Sequence, residues 1–344
     1  MKLNRETALK LYRDATLLEL GKLANSIKEE KHPENIITFV VDRNINYTNI
    51  CSCQCKFCAF YREKGSIDAY TLNNQDIFKK IEETLLYNGT QILIQGGLNP
   101  ELDINYFVKL FSEIKSKYNI NIHGLSAPEI CHIASQSKLT IEETLKILKE
   151  AGLDSIPGGG AEILVNRVRN EISPNKISWQ KWAQVMQAAH KLGIRSTATM
   201  MFGTVENDEE IIEHIFRIRE IQEKYSGFTA FICWTFQPRN TTLANTIHFK
   251  ATSVEFLKVL AISRIILDNI DNIQTSWVTQ GAKIAQTSLF FGANDFGSTM
   301  LEENVVSAAG VKFELGIDDI VFLIKDAGFI PARRDTFYNI LQTY

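Results

Sequence analysis

Four of the chain's six cysteines, Cys51, Cys53, Cys55 and Cys58, fall within eight positions of the stretch NYTNICSCQCKFCAFYR, residues 46–62. Thiols that dense in one short loop suit metal ligation or redox chemistry better than structural disulfides in a reducing compartment. Cys51, Cys55 and Cys58 are spaced C-x3-C-x2-C, and soft thiolates so arranged suit an iron-sulfur cluster. Three thiolates leave one iron of a 4Fe-4S cluster without a protein ligand, so that a substrate or cofactor can chelate it and receive an electron directly. Cys53 falls outside that set. The rival is a four-thiolate zinc site, but structural zinc sites usually draw their pairs from separate segments to surround the metal tetrahedrally. A single eight-residue loop does that awkwardly.

The elements that must hold this loop are read from composition and periodicity. With 344 residues, 45% hydrophobic and 22% charged, the chain can bury a large core. Its formal charge of -3 is spread over interspersed acids and bases, with no basic stripe to neutralise a phosphate backbone, which argues against nucleic acid as a partner. The N-terminal MKLNRETALKLYRDATLLELGKLA carries charges where a signal peptide needs an apolar run, and no window approaches the roughly 20 apolar residues of a membrane helix. A soluble cytoplasmic protein is expected. After a helical segment over about residues 5–30, strand-like runs alternate with amphipathic helical ones. The strand candidates are IITFVVDRNINYT, TQILIQGG, INIHGL, LDSIPGGG, IRSTATMMFG, FTAFICWTFQP, NIQTSWVT and SLFFGANDFG. Eight such runs separated by helices predict an α/β fold, a (β/α)8 TIM-type barrel. The expected organisation is a helical extension over 1–35, the barrel over 36–327 and a tail over 328–344.

In such a barrel the active site gathers in the loops after the strands. The unusual residues fall there: the cysteine run, then Gln95-Gly96-Gly97, Ser126 to Glu129, Pro157 to Glu162, Met201-Phe202-Gly203, and Trp234 to Arg239. Convergence on one rim predicts a small-molecule enzyme.

The three-cysteine spacing with Phe57 directly before the last thiol resembles the signature of the radical S-adenosylmethionine enzymes. DRNINYTNIC, QGGLNPELDINYF, SIPGGGAEIL, WTFQPRNTTL and GANDFGSTMLEENV extend the resemblance over nearly the whole chain to the group of aminofutalosine and deazaflavin-precursor synthases. Within that group the chain looks most like the cyclic dehypoxanthine futalosine synthases of the futalosine route to menaquinone. The resemblance implies a radical SAM barrel whose open iron is chelated by the amine and carboxylate of S-adenosylmethionine. An electron from the reduced cluster, supplied by an external donor such as flavodoxin or ferredoxin, then cleaves the sulfonium to a 5′-deoxyadenosyl radical. It further implies hydrogen abstraction from the ribose of dehypoxanthine futalosine and attack of the carbon radical on the substrate's own benzoate ring.

Site residues follow position by position. Phe57 is expected on the adenine, and Gly96 and Gly97 correspond to the family's Gly-Gly beside the methionine amine. Gln95, Ser126 and Met201 share that rim. The run Gly158 to Gly160 permits close backbone approach to a ligand, or is a plain turn. Glu162 could take the ammonium or the ribose hydroxyls and Arg167 the carboxylate of the cofactor, the alternative for both being helix-surface charge. On the substrate side, Trp234 is expected to bound the aromatic ring, Arg239 to meet the benzoate and Asn294 to meet hydroxyls. Asp295 and Glu302 are the candidates for removing the final proton. His123 and His132 are read as structural, and Cys131 and Cys233 as small buried hydrophobes. Two other readings remain open: a related radical synthase with different substrate loops, and a metal-carrying structural protein without turnover.

Overall fold

The computed structural model describes residues 3–344. Among these, eleven strands form one curled sheet: β1 (Ile36–Val40), β2 (Asp42–Ile45), β3 (Gln91–Ile94), β4 (Asn121–Gly124), β5 (Ser155–Ile156), β6 (Arg195–Phe202), β7 (Phe228–Thr235), β8 (Asn272–Gln274), β9 (Asp295–Ser298), β10 (Ile330–Arg334) and β11 (Ile340–Thr343). Their order is β11-β10-β1-β9-β8-β7-β6-β5-β4-β3-β2. All pairs are parallel except β10 with β11.

The sheet closes because β1 and β2 are two halves of one run, interrupted at Val41. The lower half pairs with β9 and the upper half with β3, so that β1–β2 and β3 to β9 make eight strand positions in a ring. This is the TIM-type arrangement that the alternation predicts. Parallel strands are covered on both faces, and their side chains are accordingly apolar and buried, as at Ile92, Ile94, Ile122 and Ile156.

Three differences from the expected elements have local causes. The N-terminal helical segment is two helices, Arg5–Asp14 and Leu17–Lys31, because Thr16 and Glu19 form a capping box that starts a new helix. The run SLFFGANDFG becomes strand only from Asp295, and NIQTSWVT turns helical at Trp277. Residues 330–343 form β10 and β11, and β10 lies against β1, with Ile36 opposite Ile330 and Phe39 opposite Arg333. No helix among the described residues is long and apolar enough to cross a membrane.

Candidate active site

The cysteine loop follows β2 and is tied at every side by backbone hydrogen bonds. Cys51 N donates to Arg62 O (3.0 Å), Ser52 N to Leu98 O (3.0 Å) and Lys56 N to Ile172 O (2.9 Å), while Cys58 N closes a turn onto Cys55 O (3.0 Å). Arg62 Nη1 caps the carbonyls of Ala59, Phe60 and Tyr61 at 2.9–3.3 Å. These bonds fix the direction in which the thiols point.

Cys51, Cys55 and Cys58 all face one cavity of about 290 Å³ at the barrel mouth. Cys53 faces it too, its sulfur 3.6 Å from that of Cys55. The contact with Cys53 holds the Cys55 thiol down at about 7, against burial and with help from Lys176. Burial raises Cys58, partly offset by the amides of Tyr61 and Phe60. Among the described residues no three His, Cys, Asp or Glu side chains converge closely enough to share one metal ion.

The remaining walls bring an ion pair and an aromatic ring together. Lys176 Nζ meets Glu162 Oε1 at 2.5 Å, and Lys176 lies 5.1 Å from the centre of the Phe57 ring. Glu162 Oε2 is buried with no hydrogen-bond partner, on a residue held at φ 42° in the left-handed region. Glu162 lines the cavity, and a carboxylate on such a wall is suited to an ammonium or a hydroxyl.

Glu129, which the sequence places on the rim without a role, organises the glycine loop. Its Oε1 accepts from Gly96 N (2.9 Å) and Tyr47 Oη (2.9 Å), and its Oε2 from Ser126 N (2.7 Å) and Ser126 Oγ (2.5 Å). Burial pushes this carboxyl up, and the four donors oppose the shift. The Ser126-x-x-Glu129 capping box was a sequence-level signal for it. The glycines themselves answer to packing: a Cβ on Gly96 would come 2.7 Å from the Tyr47 ring, and one on Gly97 would overlap the Ile50 carbonyl. Gly158 lies equally close to the β6 backbone at Ala198, and Gly160 has φ 83° beside Pro128.

A second cavity, of about 300 Å³, lies within the barrel and shares Gln95, Gly159, Trp234, Thr279, Val305 and Val306 with the first. Asp42 is the acid that lines it. The side chain accepts from Gln91 Nε2 (2.5 Å) and from Ser298 Oγ, and burial pushes the carboxyl above its ordinary value. His123 also faces this space, with Nδ1 2.7 Å from Ser155 Oγ, and burial lowers it to about 3, so it is neutral.

Phe57, Gln95, Gly96, Gly97, Ser126, Glu162, Met201, Cys51, Cys55 and Cys58 thus line the upper cavity, and Trp234 lines both. Five expected residues line neither. Arg167 is half exposed and paired with Glu210 and Glu171; Arg169, two residues on, is the buried arginine, donating to Gly160 O and Ala161 O (3.1 and 2.6 Å). Arg239 is exposed and packs on Gly310. Asn294 is spent on Arg264 (2.6 Å), Ile273 N (2.9 Å) and Asn272 (2.9 Å). Asp295 is fully buried in a two-bond pair with Arg334 (2.5 and 3.0 Å), and Glu302 pairs with Lys80 (2.6 Å).

The barrel, the three-thiol loop and the open cavity beside it define an enzyme class. The chain belongs to the radical SAM superfamily, which it matches over residues 45–218, and residues 225–344 match the CofH/MqnC C-terminal region. It is 48% identical to the cyclic dehypoxanthine futalosine synthase of Halalkalibacterium halodurans, over 100% of this chain and 92% of that protein. The corresponding figures for the synthase of that name from Streptomyces coelicolor are 44%, 98% and 86%. A 5-amino-6-(D-ribitylamino)uracil–L-tyrosine 4-hydroxyphenyl transferase of Methanocaldococcus jannaschii is 41% identical, over 99% and 97%. Among solved structures the fold resembles methylornithine synthase (PylB), with TM-score 0.74 and 18% identity over 97% of this chain and 95% of that one.

Proposed function

We propose that the chain converts dehypoxanthine futalosine to its cyclic form by intramolecular carbon–carbon bond formation, within menaquinone biosynthesis and with a one-electron donor of the flavodoxin or ferredoxin type. The 48% identity to a synthase of that name carries this reading, because it spans the C-terminal strands that wall the lower cavity as well as the cysteine loop. Likeness limited to the loop would speak only for the cofactor.

Cys51, Cys55 and Cys58 would hold a 4Fe-4S cluster, and Glu162 Oε2, Phe57 and the Gly96–Gly97 backbone would hold S-adenosylmethionine beside it. When bound, this pair supplies a 5′-deoxyadenosyl radical able to remove a substrate hydrogen. The protein's share is placement and exclusion of water. Gln95, Gly159, Trp234, Thr279, Val305 and Val306 line both cavities, so a substrate in the lower one would present its reacting carbon toward the upper. Ring closure on an arene releases a proton as well as an electron, and the one-electron carrier would take the electron back. Asp42, buried and facing the lower cavity, is the carboxylate positioned to take that proton.

The deciding experiment is anaerobic reconstitution followed by mass spectrometry with dehypoxanthine futalosine, S-adenosylmethionine and reductant. The expected result is 5′-deoxyadenosine together with a product lighter than the substrate by two hydrogens. Turnover only with tyrosine and a ribitylaminouracil would assign the transferase activity instead, and absence of 5′-deoxyadenosine under all conditions would exclude both.

A further inference from the structure

Cys53 is the thiol of the loop that the ligand spacing leaves without a role, and its Sγ stands 3.6 Å from that of Cys55. The backbone enforces this approach. Gln54, between the two, is held at φ 50°, in the left-handed region that a residue with a side chain seldom adopts. Hydrogen bonds fix the turn on every side. Cys53 O accepts from Asn175 Nδ2 (3.3 Å), Gln54 Nε2 donates to Glu63 Oε1 (3.0 Å), and Cys55 O accepts from Cys58 N (3.0 Å).

Residues two apart span at most about 7 Å between Cα atoms when extended, the upper edge of what a disulfide bridges, and the turn at Gln54 shortens the span. An S–S bond of about 2.05 Å then requires the sulfurs to close by roughly 1.5 Å, which side-chain rotation alone can supply. Access selects the reagent. Both cysteines line the cavity at the barrel mouth but keep only 3% and 6% of their surface exposed. A peroxide of two heavy atoms enters such an opening, whereas a bulky disulfide such as oxidised glutathione does not.

We propose that Cys53 is a resolving thiol for the cluster loop: in the cluster-free chain a peroxide oxidises Cys55, and Cys53 captures the product as a Cys53–Cys55 disulfide. The Cys55 thiol and hydrogen peroxide give a sulfenic acid and one water. The Cys53 thiol then forms the S–S bond and releases the sulfenic oxygen as a second water, so two thiols are oxidised as one peroxide is reduced. Capture stops Cys55 short of the sulfinic acid, which a dithiol cannot reverse. The link also withdraws one cluster ligand, so iron uptake waits until a dithiol reductant reopens it. This goes beyond the cyclase reading and depends only on Cys55 being a ligand.

The test uses the full-length apoprotein, prepared without oxygen, treated with stoichiometric hydrogen peroxide, alkylated and mapped by mass spectrometry. The tryptic peptide 44–56 carries Cys51, Cys53 and Cys55 but not Cys58. In the native chain it should lose two hydrogens, with alkylation confined to Cys51. The oxidised protein should take up little iron, and dithiothreitol should return it to about four irons per chain. Cys53→Ser should load iron as well as the native chain before peroxide. After peroxide its Cys55 should gain oxygen, and most of its iron uptake should stay lost after dithiothreitol. A native link that omits Cys53, or a native chain that accumulates oxygen at Cys55 or remains unoxidised there, overturns the proposal. So does a Cys53→Ser variant that dithiothreitol restores as fully as the native chain. Failure of that variant to load iron before peroxide also overturns it, because Cys53 would then be a ligand.

Discussion

Lys176 and Glu162 form a buried ion pair of 2.5 Å at the barrel mouth, and only one of the two Glu162 oxygens takes part. Burial alone would lower the Lys176 ammonium, but Glu162 and the thiols of Cys55 and Cys53 outweigh it and raise its pKa. The lysine thus places a fixed positive charge beside the thiols, and Glu162 lines the same cavity. Glu162→Gln keeps the shape and removes the charge. It should weaken S-adenosylmethionine binding about tenfold, the scale of one charge-assisted hydrogen bond, and lower the melting temperature as well, because Lys176 loses its carboxylate partner. Lys176→Met should likewise cost about 3–5 kcal/mol of stability, because it strands Glu162 in the interior. Unaltered cofactor affinity in Glu162→Gln would remove this residue from the binding site.

The Cys53 and Cys55 sulfurs stand 3.6 Å apart, yet the three-cysteine spacing omits Cys53. Cys53→Ser should therefore retain about four irons per chain and reductant-dependent 5′-deoxyadenosine formation, while Cys55→Ser should lose both. Iron determination and electron paramagnetic resonance of the reduced proteins read this directly. Equal loss of iron from the two variants would make Cys53 a ligand.

Much of this arrangement was legible before any coordinates. The barrel could be read because parallel strands buried on both faces appear as short apolar runs between amphipathic helices. The rim could be read because the chemistry-bearing residues follow those runs. What escaped depended on distant partners or on helical phase. Arg167 and Arg169 are two residues apart on the helix Asn166–Ile172 and therefore point in very different directions; only the packing decides that Arg169 braces the glycine loop. Asn294 and Asp295 sit in a polar, glycine-bounded stretch that reads as a loop. Their partners Arg264 and Arg334 lie elsewhere in the chain and draw both side chains into the structure. Nothing in IPARRDTFYNILQTY indicates that it pairs with β1 near the opposite end of the chain.

Glu129 links three segments, holding the Gly96 amide, the Tyr47 hydroxyl and the Ser126 cap with one carboxylate. Replacing it by Gln turns one acceptor oxygen into an amide that faces a donor, so at least one of those bonds must break. Glu129→Gln should lower S-adenosylmethionine affinity about three- to tenfold by loosening the Gly96–Gly97 loop, with the helix content by circular dichroism unchanged. Glu129→Asp, which keeps the charge but shortens the reach, should not restore it. A variant with native cofactor affinity would show that Gly96 and Gly97 are held by Tyr47 and Ile50 alone.

His214 accepts a hydrogen bond at Nδ1 from Leu164 N (2.9 Å), which fixes the neutral tautomer, and burial lowers its pKa to about 3. His190, beside Ser196, is lowered to about 4 by burial, with Arg195 adding to the effect. In the unfolded chain both return to about 6.5. Between those limits the unfolded state binds more protons, so the histidine contribution is complete above about pH 6.5 and is lost as the pH falls toward the folded values. Glu129 and Asp42, whose carboxyls are raised by burial, act in the opposite sense at pH values above their unfolded range, so the total slope mixes the two. A variant isolates the histidine share. Urea unfolding of the apoprotein at pH 7.5 and pH 5.5 should show the native chain losing more stability on acidification than His214→Gln, although the variant is the less stable of the two at pH 7.5. Identical losses in the two proteins would mean that His214 is not kept neutral by the fold, and the tautomer assigned from the Leu164 contact would have to be abandoned.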